Sequence, residues 1–324
     1  MPINTPVTLA EWEAEAPKLR ARLGSLLGEM PPLFTPQATI TSREVRDGYT
    51  LERLQFENGA GATVYGYLLL PDGVKERAPA VLYHHLHGGQ YALGKEGLFD
   101  AARIGFAPGA PLVRAGYVVL AIDAYGFNQR ETQGPAGERE RGVATEQALF
   151  KHFVWRGQTL WGMMVRDDLL ALNYLASRPE VDAGRIAATG MSLGGSRTTW
   201  LGALDERLKI VVPIAQMTRY ADFAATGNYN LHSIYYYVPG FLKTGLEMEI
   251  LTSLVAPRTQ MILIGDEDPL SPIVGVRKIV DFTQQVYALY GASEQFQPTI
   301  YAGIGHQFTQ EMFAALLNCL KTHL

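Results

Sequence analysis

The sequence predicts an α/β protein, with a mostly parallel central sheet, helices on both faces and an N-terminal helical extension. Two observations carry this. Short apolar runs bounded by turn residues alternate with amphipathic stretches from Pro79 to the end of the chain, and such alternation yields parallel strands joined by crossover helices. In addition, one of those strands enters Gly190-Met191-Ser192-Leu193-Gly194 and a run of helical character leaves it.

Taken in order, Thr8 to Met30 carries Leu9, Trp12, Ala16, Leu19, Leu23 and Leu27 at helical spacing. Pro17 is expected to break or kink this run, and Pro31, Pro32 and Pro36 to end it. Strand patterning takes over from Arg43 to Leu70, where residues 50–56 and 62–70 flank Asn58-Gly59, a hairpin signal. Buried strands follow at Ala80-Val81-Leu82-Tyr83, Tyr117 to Ile122, Arg185 to Thr189, Ile210 to Ile214 and Met261 to Ile264, and Thr299-Ile300-Tyr301 closes the sheet. Leu160 to Ala176 reads as an amphipathic helix. Two stretches fit the alternation poorly: charged, glycine-rich Gln129 to Gln147 and tyrosine-crowded Thr226 to Phe241. Long excursions of this kind serve as lids, binding loops or plain surface. Residues 1–36 are assigned to the extension and 37–324 to a single α/β domain.

Bulk properties narrow the function. A net charge of −4 and a pI near 6.0 offer no electrostatic case for nucleic acid or an anionic membrane. The single cysteine, Cys319, excludes an internal disulfide framework and a cysteine-based metal site. Met1 to Ala10 lacks the basic and apolar regions of a signal peptide, and no apolar run is long enough to span a bilayer. The expectation is a cytoplasmic protein acting on a small molecule, with no cofactor and an open oligomeric state.

Strand, Gly-x-Ser-x-Gly, helix is the context of a nucleophile elbow. A serine at so tight a turn sits in a strained conformation, so Gly190 and Gly194 are needed to remove Cβ atoms, and Gly195 to bring the helix close to the sheet. A serine hydroxyl needs a base and an acid to orient that base. Around such an elbow the chain order is serine, acid, histidine. Of the histidines beyond the later strands, His323 is the penultimate residue of an amphipathic helix, whereas His306 follows the last strand in a loop with Gly303 and Gly305. His306 is therefore the base. The acid comes from Gly265-Asp266-Glu267-Asp268-Pro269. Asp268, three residues past Gly265 and followed by proline, is preferred to Asp266, with Glu267 third. The loop His84-His85-Leu86-His87-Gly88-Gly89 after an earlier strand suits an oxyanion hole, with the backbone N–H groups of Leu193 and His87 as donors. A metal site at His84, His85 and His87 is the less favoured reading, since no acid or cysteine sits among them. Tyr235, Tyr236 and Tyr237 follow the strand after the elbow helix and are expected to wall the substrate pocket, or else to wedge the loop on the sheet.

With these residues in hand, the chain resembles an α/β-hydrolase of the dienelactone-hydrolase-like and acetylxylan-esterase-like branch. The resemblance runs from Arg43 to Leu324. It is carried by Ala80 to Lys95, Leu160 to Asp168, the elbow, Ile234 to Gly240, Ala256-Pro257-Arg258 and Gly265 to Pro272. It implies that Ser192, Asp268 and His306 form the triad of a serine esterase acting on small acyl or acetylated-sugar esters. Dienelactone hydrolases proper use a cysteine where this chain has serine. Two alternatives stand beside the esterase: an amide or peptide hydrolase of the prolyl-oligopeptidase-like type, and a non-catalytic binding module of the same fold.

Overall fold

The structure, a computed structural model, describes residues 8–73, 76–216 and 218–324. The first seven residues, part of the stretch that lacks the pattern of a signal peptide, lie outside them. Among the described residues nine strands form one sheet: β1 (Thr39–Arg46), β2 (Tyr49–Glu57), β3 (Thr63–Pro71), β4 (Ala78–His84), β5 (Val118–Ile122), β6 (Val181–Met191), β7 (Leu208–Ile214), β8 (Thr259–Gly265) and β9 (Phe296–Tyr301). Their spatial order is β1-β2-β3-β5-β4-β6-β7-β8-β9. The pairs from β1 to β5 are antiparallel, and from β5 onward all are parallel. The helices are α1 (Leu9–Leu26), α2 (Gly109–Arg114), α3 (Val143–Trp155), α4 (Leu160–Ser177), α5 (Leu193–Leu204), α6 (Tyr220–Ala225), α7 (Met248–Ser253), α8 (Ile273–Leu289) and α9 (Gln310–His323). They cover both faces of the sheet, each face with its own apolar cluster.

Two local outcomes differ from the sequence expectation. Helix α1 runs unbroken through Pro17, opened by a reciprocal Thr8–Glu11 capping box. An interior proline costs about 3 kcal/mol, but Trp12, Leu19 and Leu23 are all buried, and burial of each such side chain contributes about 1.5–3 kcal/mol. Packing on the core outweighs the lost hydrogen bond. The helix then ends ahead of the prolines, at a Leu27 cap followed by Gly28 with φ +89°. In the hairpin, Asn58-Gly59 does not make a two-residue turn. The Asn58 N–H donates to Ala62 O (3.0 Å), and the Asn58 carboxamide oxygen accepts from Ala60 and Ala62 N–H. The side chain thus closes a wider loop.

The parallel half positions the site. The chain leaves β4, β6, β8 and β9 at their carboxyl ends, and all four ends lie along one edge of the sheet, where α/β proteins bind ligands. The loops that begin there are the histidine loop, the serine turn, the acidic turn and the His306 loop.

Candidate active site

Ser192 stands between β6 and α5 with φ 60° and ψ −115°, a left-handed conformation rare outside glycine. Its N–H donates to Ile214 O on β7 (2.9 Å), which anchors the turn to the sheet. A Cβ at either Gly190 or Gly194 would overlap the His84 carbonyl oxygen. The same atom at Gly195 would press on Ile214 O at 2.5 Å. The glycines therefore answer to neighbouring strand backbone, which lets α5 begin directly above the sheet.

His306 lies in the loop after β9. Its Nε2 is 2.8 Å from Ser192 Oγ and its Nδ1 is 2.7 Å from Asp268 Oδ2. Asp268 is 3% exposed, and its other oxygen accepts from Leu270 N–H at 2.8 Å. Both carboxylate oxygens are thus directed, one at the ring and one at its own loop. Asp266 has a different partner: Oδ1 accepts from Gly303 N–H (2.8 Å), tying the acidic turn to the His306 loop. Glu267 is exposed. The structure brings Ser192, His306 and Asp268 into one hydrogen-bonded chain and leaves Asp266 and Glu267 outside it.

The three histidines at the end of β4 and just beyond it go to three different partners. His84 Nδ1 lies 2.8 Å from Thr198 Oγ1. His85 accepts from Ala124 N–H at Nε2 (3.0 Å) and donates from Nδ1 to Leu86 O (2.9 Å). Burial, then the nearby Arg197 guanidinium, pushes both pKa values well below the usual imidazole range, so both rings are neutral. His87 instead lines a cavity together with Ser192, Gly88 and Gly89. Among the described residues no cluster of three or more metal-ligating side chains occurs.

That cavity, about 660 Å³, is lined by Ser192, His306, His87 and the Tyr229–Tyr237 segment. Tyr235, Tyr236 and Tyr237 all reach it, yet the first two are also packed inside. The Tyr235 ring stacks on Trp161 (5.7 Å between centroids), and Tyr236 tilts against the same indole at 5.1 Å. The Tyr236 hydroxyl donates to Ser196 Oγ (3.1 Å), and that of Tyr237 to Tyr229 O (2.5 Å). Wedge and wall are the same residues. The charged excursion contributes as well, through Val143, Glu146 and Gln147 at the start of α3.

Of the charged or titratable cavity residues, Arg103 escaped the sequence reading, whereas Glu146 and His232 were covered only as members of the two excursions, with no role of their own. Glu146 left a trace, because it shares the buried stripe of α3 with Leu149 and Phe153, where an acid is out of place. His232 was reached through its tyrosine-crowded segment, and Arg103 left no trace. Burial lowers the His232 pKa, and its Nε2 is 2.8 Å from Leu270 O.

Comparison with known proteins accords with this architecture. Residues 40–254 match the family described as acetyl xylan esterase (AXE1). The chain belongs to the acetyl xylan esterase family. It is also 36% identical over 289 residues to the Bacillus subtilis (strain 168) protein YtaP, named as a hydrolase, covering 89% of this chain and 92% of that one. Among solved structures, a Bacteroides fragilis NCTC 9343 protein described as an acetyl xylan esterase superposes with TM-score 0.73 at 20% identity, over 93% of this chain and 78% of the other. A glucuronoyl esterase from Solibacter usitatus gives TM-score 0.73 at 16% identity, over 98% and 94%. Family membership makes this chain a carboxylic-ester hydrolase of the α/β-hydrolase superfamily. Of the two-part resemblance, the acetyl xylan esterase half is the fit, and dienelactone hydrolase is a loose one. No helix among the described residues is long and apolar enough to cross a membrane.

Proposed function

We propose that this member of the family cleaves small acyl or acetylated-sugar esters through an acyl-serine intermediate, with Ser192, His306 and Asp268 as the triad. The observation that carries the proposal is the continuous contact from Asp268 through both ring nitrogens of His306 to Ser192 Oγ. In this mechanism the Asp268 carboxylate holds the His306 Nδ1 proton and leaves Nε2 free to accept. Ser192 Oγ attacks the ester carbonyl carbon while its proton passes to Nε2. The carbonyl oxygen becomes an anion held by the backbone N–H groups of Leu193 and His87. When the tetrahedral adduct collapses, the bond to the alcohol oxygen breaks and Nε2 gives the proton to the leaving alcohol. Water, deprotonated by the same nitrogen, then attacks the acyl carbon and releases the acid and Ser192.

The cavity suits such substrates. Tyr235, Tyr236 and Tyr237 combine ring faces with polar tips, as a site for an acetylated sugar requires. Two measurements test the reading. A fluorophosphonate should label Ser192 in the wild type and not in Ser192→Ala. Acetate release from acetylated xylo-oligosaccharides and from nitrophenyl acetate should far exceed hydrolysis of aminoacyl anilides. Faster turnover of the anilides would move the protein to the amide-hydrolase reading.

A further inference from the structure

A second histidine–carboxylate pair faces the same cavity. His87 Nε2 lies 3.3 Å from Glu146 Oε2 and 2.9 Å from Ser233 Oγ. Its Nδ1 accepts the N–H of Gly89 at 2.9 Å. Because Nδ1 accepts, the ring proton sits on Nε2, directed at Glu146 and Ser233. Glu146 is 2% exposed, and its Oε2 also takes the Tyr91 hydroxyl at 3.1 Å. The imidazole is boxed by Tyr91 and Phe127, with ring centroids 4.8 and 5.1 Å away.

The backbone here needs such support. Gly88 and Gly89 have φ +55° and +73°, and a Cβ on Gly89 would meet nothing within 4 Å. Glycine at 89 therefore serves conformation and not packing, and two successive glycines leave the loop many alternatives. What selects one of them is the bond from Gly89 N–H back to the His87 ring. A buried carboxylate is expensive to keep without function, and this one ends a short relay from α3 into the loop.

We infer that Glu146 is a positioning residue for the oxyanion loop: through Tyr91-flanked His87 it fixes the imidazole tautomer that accepts Gly89 N–H, and so holds the His87 backbone N–H at the nucleophile. The inference rests on the proposed role of that N–H. It makes α3, which begins in the charged excursion, a brace for catalysis.

The test uses Glu146→Ala, Glu146→Gln and His87→Phe in the full chain. Replacing the His87 side chain leaves the backbone donor in place, so any loss comes from its position. Each variant is assayed for kcat and KM on nitrophenyl acetate, for inhibition by a trifluoromethyl ketone, whose adduct with Ser192 places an oxyanion in the hole, and for thermal unfolding. Losing one oxyanion donor outright costs about 10²–10³-fold; a misplaced donor should cost roughly 10- to 100-fold. Glu146→Ala and His87→Phe should lower kcat and weaken the ketone by this same factor with KM little changed, and the double variant should add nothing further. Glu146→Gln, which keeps an acceptor oxygen, should stay near wild type. If Glu146→Ala leaves kcat and ketone affinity unchanged, whatever its thermal stability, the relay is overturned. A rise in KM alone also overturns it, by making Glu146 a substrate contact. Should Glu146→Ala not fold, His87→Phe carries the same readouts. Wild-type protein that neither turns over esters nor binds the ketone refutes the proposed function, whereas an active wild type with indifferent variants refutes only the relay.

Discussion

Two histidine–carboxylate pairs flank one serine cavity, and they are not alike. In His306–Asp268 the carboxylate meets Nδ1 at 2.7 Å, and Nε2 is turned out to Ser192. In His87–Glu146 the carboxylate meets Nε2 at 3.3 Å, and Nδ1 is turned back onto the loop's own N–H at Gly89. The same two functional groups thus serve different ends according to which nitrogen is left over. An imidazole with its free lone pair on a hydroxyl can take a proton; one whose lone pair is occupied by backbone can only hold shape.

The largest effect that would break this contrast is at the nucleophile and its base. Ser192→Ala and His306→Ala should each lose on the order of 10⁴- to 10⁶-fold in turnover of nitrophenyl acetate, against the far smaller loss set out above for His87→Phe. Equal losses at the two histidines would erase the distinction. Next comes the acid. Asp268→Asn should cost roughly 10⁴-fold, since an amide no longer fixes the tautomer or stabilises the imidazolium. Asp266→Asn should cost much less, because Asp266 holds Gly303 and not the ring. If the Asp266 variant were the inactive one, the acidic turn would be assigned to the wrong residue.

A third prediction concerns stability instead of rate. His84 and His85 are held neutral by burial, with pKa values below the ordinary 6.5. The unfolded chain therefore takes up protons first as the pH falls. Their contribution is complete above about pH 6.5 and is lost as the pH drops from there toward the lowered values, by at most about 1.4 kcal/mol per pH unit for each ring. The thermal midpoint should fall on that acid side, and a midpoint flat from pH 7 to 5 would contradict the burial. The smallest effects belong to the tyrosines. Tyr236→Phe removes one bond to Ser196, about 0.5–1.5 kcal/mol. Among the Phe variants of Tyr235, Tyr236 and Tyr237, at least one should reorder an acyl-ester and acetyl-sugar panel. If none does, the segment is scaffold only.

The sequence by itself determined the strands β2 to β9, though not the exposed edge strand β1, together with the elbow and the positions of Ser192 and His306. These features depend on local pattern: apolar runs, glycines at a turn, a histidine just past the last strand. Between Asp268 and Asp266 the chain expressed only a preference, because two acids two residues apart differ in where they point and not in chemistry. Tertiary structure alone decided that Asp268 reaches the ring while Asp266 spans to Gly303, that Pro17 yields to the burial of Trp12, Leu19 and Leu23, and that Glu146 lines the same cavity as His306. Each of these turns on contacts between residues distant in the chain or on the balance of packing against a local penalty. Such energies are set when the sheet brings separate loops to one edge, and no window of neighbouring residues contains them.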